Sequence, residues 1–180
     1  WQHRYGIVYD YVLGESLLEW VLRTLDAEGC AARLAELHPL IMQNQLDELP
    51  SYKEFLRWGI EKATALSQTE REVALQQLKD LPEGKQLCHG DFHPGNIMIH
   101  EDKSVVLDFM NVCKGPALYD IARTVFLIQY SQVPEPVPDP EALKAFQKAL
   151  ADAYLQKLQV RRDQLQPYFA VIAAARKGEA

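Results

Sequence analysis

Cys88-His89-Gly90-Asp91-Phe92-His93-Pro94-Gly95-Asn96 leads directly into Ile97-Met98-Ile99-His100, a polar Glu101-Asp102-Lys103-Ser104, and Val105-Val106-Leu107-Asp108-Phe109. The second part of this stretch reads as a hairpin, two short β-branched and apolar runs joined by four polar residues. Pro94-Gly95 permits a tight turn that aims Asn96 inward. A hairpin there brings the loop carrying Asp91 and Asn96 close to the strand end carrying Asp108. Two carboxylates and an amide oxygen then converge on one small volume, and oxygen donors are what a hard divalent cation requires.

Such a donor set suits phosphoryl transfer. An Asn oxygen and an Asp carboxylate can hold Mg²⁺ against nucleotide phosphates, while a separate carboxylate orients a hydroxyl and accepts its proton. A loop Asp, an Asn five residues later and an Asp on a following strand repeat the arrangement of eukaryotic-type protein kinases. Gly90 stands where that loop has Arg, and Asp108-Phe109-Met110 stands for Asp-Phe-Gly. Taken with Gly115-Pro116-Ala117-Leu118-Tyr119-Asp120-Ile121-Ala122, the stretch resembles the aminoglycoside phosphotransferase and choline kinase-like family, a kinase-fold group that phosphorylates small-molecule hydroxyls.

The resemblance implies Asp91 as catalytic base and Asn96 and Asp108 as metal ligands. His89, His93 and Asp120 become structural supports, and ATP or GTP with Mg²⁺ the cofactors. It implies a mainly α protein with a small β-hairpin (α+β), the helical C-terminal lobe of a protein-kinase-like fold. Residues 1–14 would be the last small-lobe strand and the hinge, with backbone groups of Tyr9, Asp10, Tyr11 and Val12 against adenine. Residues 15–180 would be the helical lobe, with the catalytic loop at 88–96 and the metal-ligand hairpin at 97–109. No Gly-rich loop or phosphate-clamping Lys precedes this hinge, so most of the N-terminal β-lobe is expected to be absent. That leaves an alternative, a kinase-like nucleotide-binding or regulatory module without turnover, or an inactive fragment. Zinc capture by Cys88, His89, His93 and His100 is a rival reading. His89 and His93 are spaced for one helix face, but Gly90, Pro94 and Gly95 disfavour a helix there.

The 180 residues suffice for one domain with a real core, and 48% hydrophobic against 24% charged residues excludes disorder and fibrous classes. A net charge of −6, concentrated in residues 1–80, argues against a nucleic-acid partner and suits a small, even cationic, hydroxyl substrate. Three scattered cysteines point to no disulfide framework and to a reducing cytoplasm. No run is long enough to cross a membrane, and oligomeric state is left open.

Elsewhere the pattern predicts a strand over Tyr5–Val12, and a helix opened by the Ser16–Glu19 capping box and running to about Thr24. A second helix covers residues 28–46, ended or kinked by Pro39. Ser51 and Thr69 open a third and a fourth. Residues 111–116 read as a loop, followed by a helix capped by Asp120 and running to about Tyr130. After a proline-rich connector, two more helices span about 141–158 and 163–177. His38 reads as a packed, hydrogen-bonded histidine rather than a ligand.

Overall fold

Helices are set in place by local chemistry at their ends. A computed structural model describes residues 10–101, 103–130 and 138–178. Helix α1 (Leu17–Thr24) opens on Ser16, whose hydroxyl accepts from the Glu19 N–H at 3.1 Å while Glu19 accepts from the Ser16 N–H at 2.9 Å. The box satisfies two of the amide donors that a helix start leaves unpaired. Helix α2 (Ala27–Met42) is capped by Asp26 and buries Cys30, Ala31, Leu34, His38, Ile41 and Met42, one face at helical spacing.

Pro39 was expected to end or kink α2, yet it lies inside the last turn and the helix runs on to Met42. So late in the helix the ring removes a single intrahelical donor. Buried Ile41 and Met42 anchor the turn, and the Gln43 N–H closes it on the Pro39 carbonyl at 2.9 Å. Helix α3 (Tyr52–Lys62) starts at Ser51 as the sequence indicates. Helix α4 (Gln68–Asp80) does not start at Thr69. Ser67 caps it, in a complete box with Glu70, because this earlier Ser-x-x-Glu pair overlaps the Thr69–Glu72 pair and starts the helix two residues sooner.

The strands are more numerous than one hairpin. Strands β3 (Ile97–His100) and β4 (Lys103–Val106) form the expected antiparallel pair, and β1 (Glu15–Ser16) adds to the free edge of β3. Gly14, at φ 120°, lets the chain arrive there, since a Cβ would lie 2.1 Å from the Ile99 carbonyl oxygen. A second antiparallel pair joins β2 (Gln86–Cys88) to β5 (Cys113–Gly115), with Cys88 opposite Cys113. Residues 111–116 are therefore not simply a loop. The predicted strand over Tyr5–Val12 lies mostly outside the described residues, and its described end, from Asp10, belongs to no strand.

Helices α5 (Ala117–Tyr130), α6 (Pro140–Leu158) and α7 (Gln166–Arg176) complete the chain. Along them α2 packs on α6, α3 on α7 and α4, and α5 on both α6 and α7. The shared core runs from Leu17 and Val21 through Leu34, Leu56 and Tyr119 to Tyr154 and Ile172, all at 1% exposure or less. Among the described residues no helix is long and apolar enough to cross a membrane.

Candidate active site

The loop after β2 is held from several sides. Gly90 has φ 76°, and a Cβ there would meet the Asn111 carbonyl oxygen at 2.2 Å, so only glycine lets the loop pass so close to the segment after Asp108. His89 is fully buried, with its backbone N–H and both ring nitrogens bonded. Its backbone N–H donates to Asp120 Oδ2 at 2.7 Å, its Nε2 donates to the Leu107 carbonyl at 2.9 Å, and its Nδ1 accepts from the Asp91 N–H at 3.2 Å. Burial pushes the His89 pKa below its ordinary value, which agrees with a neutral ring carrying its proton on Nε2.

Asp91 and Asn96 touch directly. The Asn96 Nδ2 donates to the Asp91 carbonyl at 2.9 Å and to Asp91 Oδ2 at 3.2 Å. Both partners are acceptors, which fixes the amide orientation and leaves Oδ1 turned away from Asp91. His93 Nδ1 accepts from the Gly95 N–H at 3.1 Å, so its Nε2 carries the hydrogen and faces Asp91 Oδ2 at 3.7 Å. At that separation the contact is electrostatic rather than a hydrogen bond. Burial alone would raise the Asp91 carboxyl, but His93, the Arg123 guanidinium and the Asn96 amide together hold it below its usual value.

Asp108 follows β4 at φ 60°, a left-handed conformation that Asp tolerates better than most residues, and the chain turns there into the short 3₁₀ turn Phe109–Asn111. Leu107, its neighbour, is bonded to the loop on both sides. The Leu107 N–H donates to the Asn96 carbonyl at 2.8 Å, and the Leu107 carbonyl accepts from His89. Asp91 and Asn96 are thus hydrogen-bonded to each other, and Asp108 follows directly on Leu107, which is bonded to their loop.

A cleft of about 790 Å³ opens beside it, walled by Asp10, Tyr11 and Val12 on one side and by Met98, Val106 to Asp108, Phe109 and Met110 on the other. Asp91 and Asn96 are not among its walls; Leu107 joins them to it. Tyr9, expected beside Asp10, lies outside the described residues. Of the four residues considered for zinc, Cys88 is buried, His89 and His93 are engaged as described, and His100 is exposed at the far end of β3.

Asp120 lies in the first turn of α5 and does not cap it, a correction to the sequence expectation, because the helix already begins at Ala117. Its carboxylate accepts instead from the N–H groups of His89 and Gly90, at 2.7 and 2.9 Å, and from His38 Nε2 at 2.8 Å. Each charge-assisted bond of this kind contributes roughly 1.5–3 kcal/mol. Arg123, one turn on and 1% exposed, donates through Nε to the Gly90 carbonyl and lies 4.9 Å over the Phe55 ring. Sequence reasoning missed Arg123. The available signal was its spacing from Asp120, two charges three apart in an otherwise apolar helix. His38 is packed and hydrogen-bonded as read, stacked on Phe92 at 4.0 Å.

The sequence profile of the phosphotransferase enzyme family matches residues 3–168. The chain belongs to the phosphotransferase enzyme family. Among solved structures, an amicoumacin kinase in complex with AMP-PNP, Ca²⁺ and Ami aligns at TM-score 0.65 and 16% identity, over 95% of this chain and 55% of that one. A glucosamine kinase aligns at TM-score 0.55 and 17% identity, over 92% and 49%. At these identities the likeness shows the fold, a kinase-like one, mostly helical with small sheets. The chain spans about half the length of these relatives. A search of curated proteins gives no match.

Proposed function

We propose that this chain carries the catalytic loop and metal-binding hairpin of an ATP-dependent phosphotransferase acting on a hydroxyl of a small molecule. The observation that carries the reading is the frame through Leu107. It ties the Asp91 loop to Asp108 at the edge of a cleft large enough for a nucleotide. Family membership and two kinase neighbours support the same reaction class without choosing a substrate.

Asp91 acts as base. Held below its usual pKa it is ionised at neutral pH, and its carboxylate orients the incoming hydroxyl and takes its proton. Asn96 Oδ1 and the Asp108 carboxylate fit a hard cation, since the Asn96 N–H₂ is already committed to Asp91 and only oxygen remains to face a metal. When bound, Mg²⁺ supplies charge neutralisation at the nucleotide phosphates. Asp10, Tyr11 and Val12, which wall the cleft, contribute to its nucleotide side. His89 and Asp120 hold the loop, and His93 braces the turn over Gly95 and faces the base.

The test is phosphoryl transfer from ATP, and in parallel GTP, to a panel of small-molecule hydroxyls by the full protein and by Asp91→Asn. The substitution keeps the shape and removes the base, so kcat falls by about 10²–10⁴-fold. Undiminished turnover in Asp91→Asn would remove Asp91 from that role.

A further inference from the structure

The Asp91 loop hangs on Asp120, and Asp120 is itself held by a side chain that the reaction does not use. Asp120 Oδ2 serves both the His89 N–H and His38 Nε2, so the position of the His38 ring bears on the same oxygen that fixes the loop. The flat faces of that ring do not fix its orientation. Phe92 stacks on it at 4.0 Å, and a half-turn about Cβ–Cγ would keep the stack while presenting carbon to Asp120. Two hydrogen bonds distinguish the orientations, the one to Asp120 itself and one to the Tyr154 hydroxyl, 2.5 Å from His38 Nδ1 and 116 residues away along the chain. Only the second comes from outside the loop support.

We infer that Tyr154 is a positioning residue for the Asp91 loop, selecting through its hydroxyl the His38 orientation that holds Asp120 against His89 and Gly90. Tyr154 sits on α6 with no exposed surface, stacked 6.2 Å from His38. Burial pushes its hydroxyl well above the ordinary tyrosine value, so it stays protonated. An ionised Asp120 only accepts, so His38 Nε2 donates to it, and Nδ1 is the nitrogen bonded to the Tyr154 hydroxyl. The chain Tyr154–His38–Asp120–His89 thereby couples α6 to the loop bearing Asp91. Its importance for turnover rests on the phosphotransferase reading; the coupling itself does not.

Tyr154→Phe removes only the hydroxyl, and Tyr119→Phe is its control. Tyr119 is equally buried, on α5, and its hydroxyl has no hydrogen-bond partner among the described residues. In the full protein, hydrogen exchange at the His89 and Gly90 amides, referenced to core amides of α3, should quicken about five- to tenfold in Tyr154→Phe and not in Tyr119→Phe. The imidazole nitrogen NMR signals of His38 should shift in Tyr154→Phe alone. In the phosphotransfer assay Tyr154→Phe should lower kcat several-fold with the nucleotide KM unchanged. Equal exchange in the two variants, or a Tyr154→Phe kcat equal to that of Tyr119→Phe, would overturn the inference. Wild-type protein that transfers no phosphoryl group would contradict the proposed function, while the exchange comparison would still decide the coupling.

Discussion

Asp120 shows how one buried charge organises a loop. Burial works to raise its carboxyl, but the adjacent His38 with its hydrogen bond and the Gly90 and His89 N–H groups outweigh it and hold the pKa below the ordinary value. A folded-state pKa below the unfolded value of about 3.9 means the contribution to stability is complete above that pH and lost as pH falls through the lower folded value. Thermal melts across acid pH should therefore fall more steeply below about pH 4 in the wild type than in Asp120→Asn, which has no carboxyl to protonate. Parallel acid limbs would mean that Asp120 is not held as an anion. At this scale the loop of Asp91 and Asn96 and the hairpin leading to Asp108 were legible because their spacing is local and the hairpin is short. Arg123 and Tyr154 were not. A buried cation on an apolar helix and a tyrosine in a helical stripe both look like ordinary side chains until distant segments meet.

Among the elements, legibility followed how much of the stabilising chemistry is local. The boxes at Ser16 and the cap at Ser51 are written in adjacent residues, and the helices begin there. For α4 two overlapping Ser/Thr-x-x-Glu pairs competed, and the structure uses Ser67 with Glu70. Ser67→Ala should destabilise the protein by about 1 kcal/mol, while Thr69→Ala, exposed within the helix, should be neutral or slightly stabilising because Ala is the better helix former. Denaturant titration separates them, and equal losses would contradict the assigned start. Pairing of β2 with β5 was illegible for another reason. Three residues a side show no periodicity, and what holds them is burial of Cys88 and Cys113 between segments 25 positions apart in the register. Pro39 shows the converse, a strong local breaker overruled by the core contacts of Ile41 and Met42.

For the whole molecule, the site exists only because the helical core holds three separate segments together. Residues 10–12 and the β3–β4 hairpin wall the cleft, and α5 reaches beneath the loop with Asp120 and Arg123. The kinase-like fold and the family were readable in the loop motif, since that motif requires a hairpin beneath it and a helix behind it. The depth to which α2 and α6 support the loop was not, because His38 and Tyr154 have no mark in sequence tying them to Asp120. If Asp108 holds the cation, Asp108→Ala should abolish the Mg²⁺-dependent part of the thermal shift produced by ATP, measured against an apo melting temperature that itself falls because Ala tolerates φ 60° less well than Asp. A Mg²⁺-dependent shift retained in full would contradict the ligand assignment. The most direct measurement is a crystal structure of the full protein with Mg²⁺ and a non-hydrolysable ATP analogue. The account predicts a cation at about 2.1 Å from Asn96 Oδ1 and from the Asp108 carboxylate, with Asp91 off the metal and facing the terminal phosphate. A cation bound away from both residues, or bound by Asp91, would contradict it.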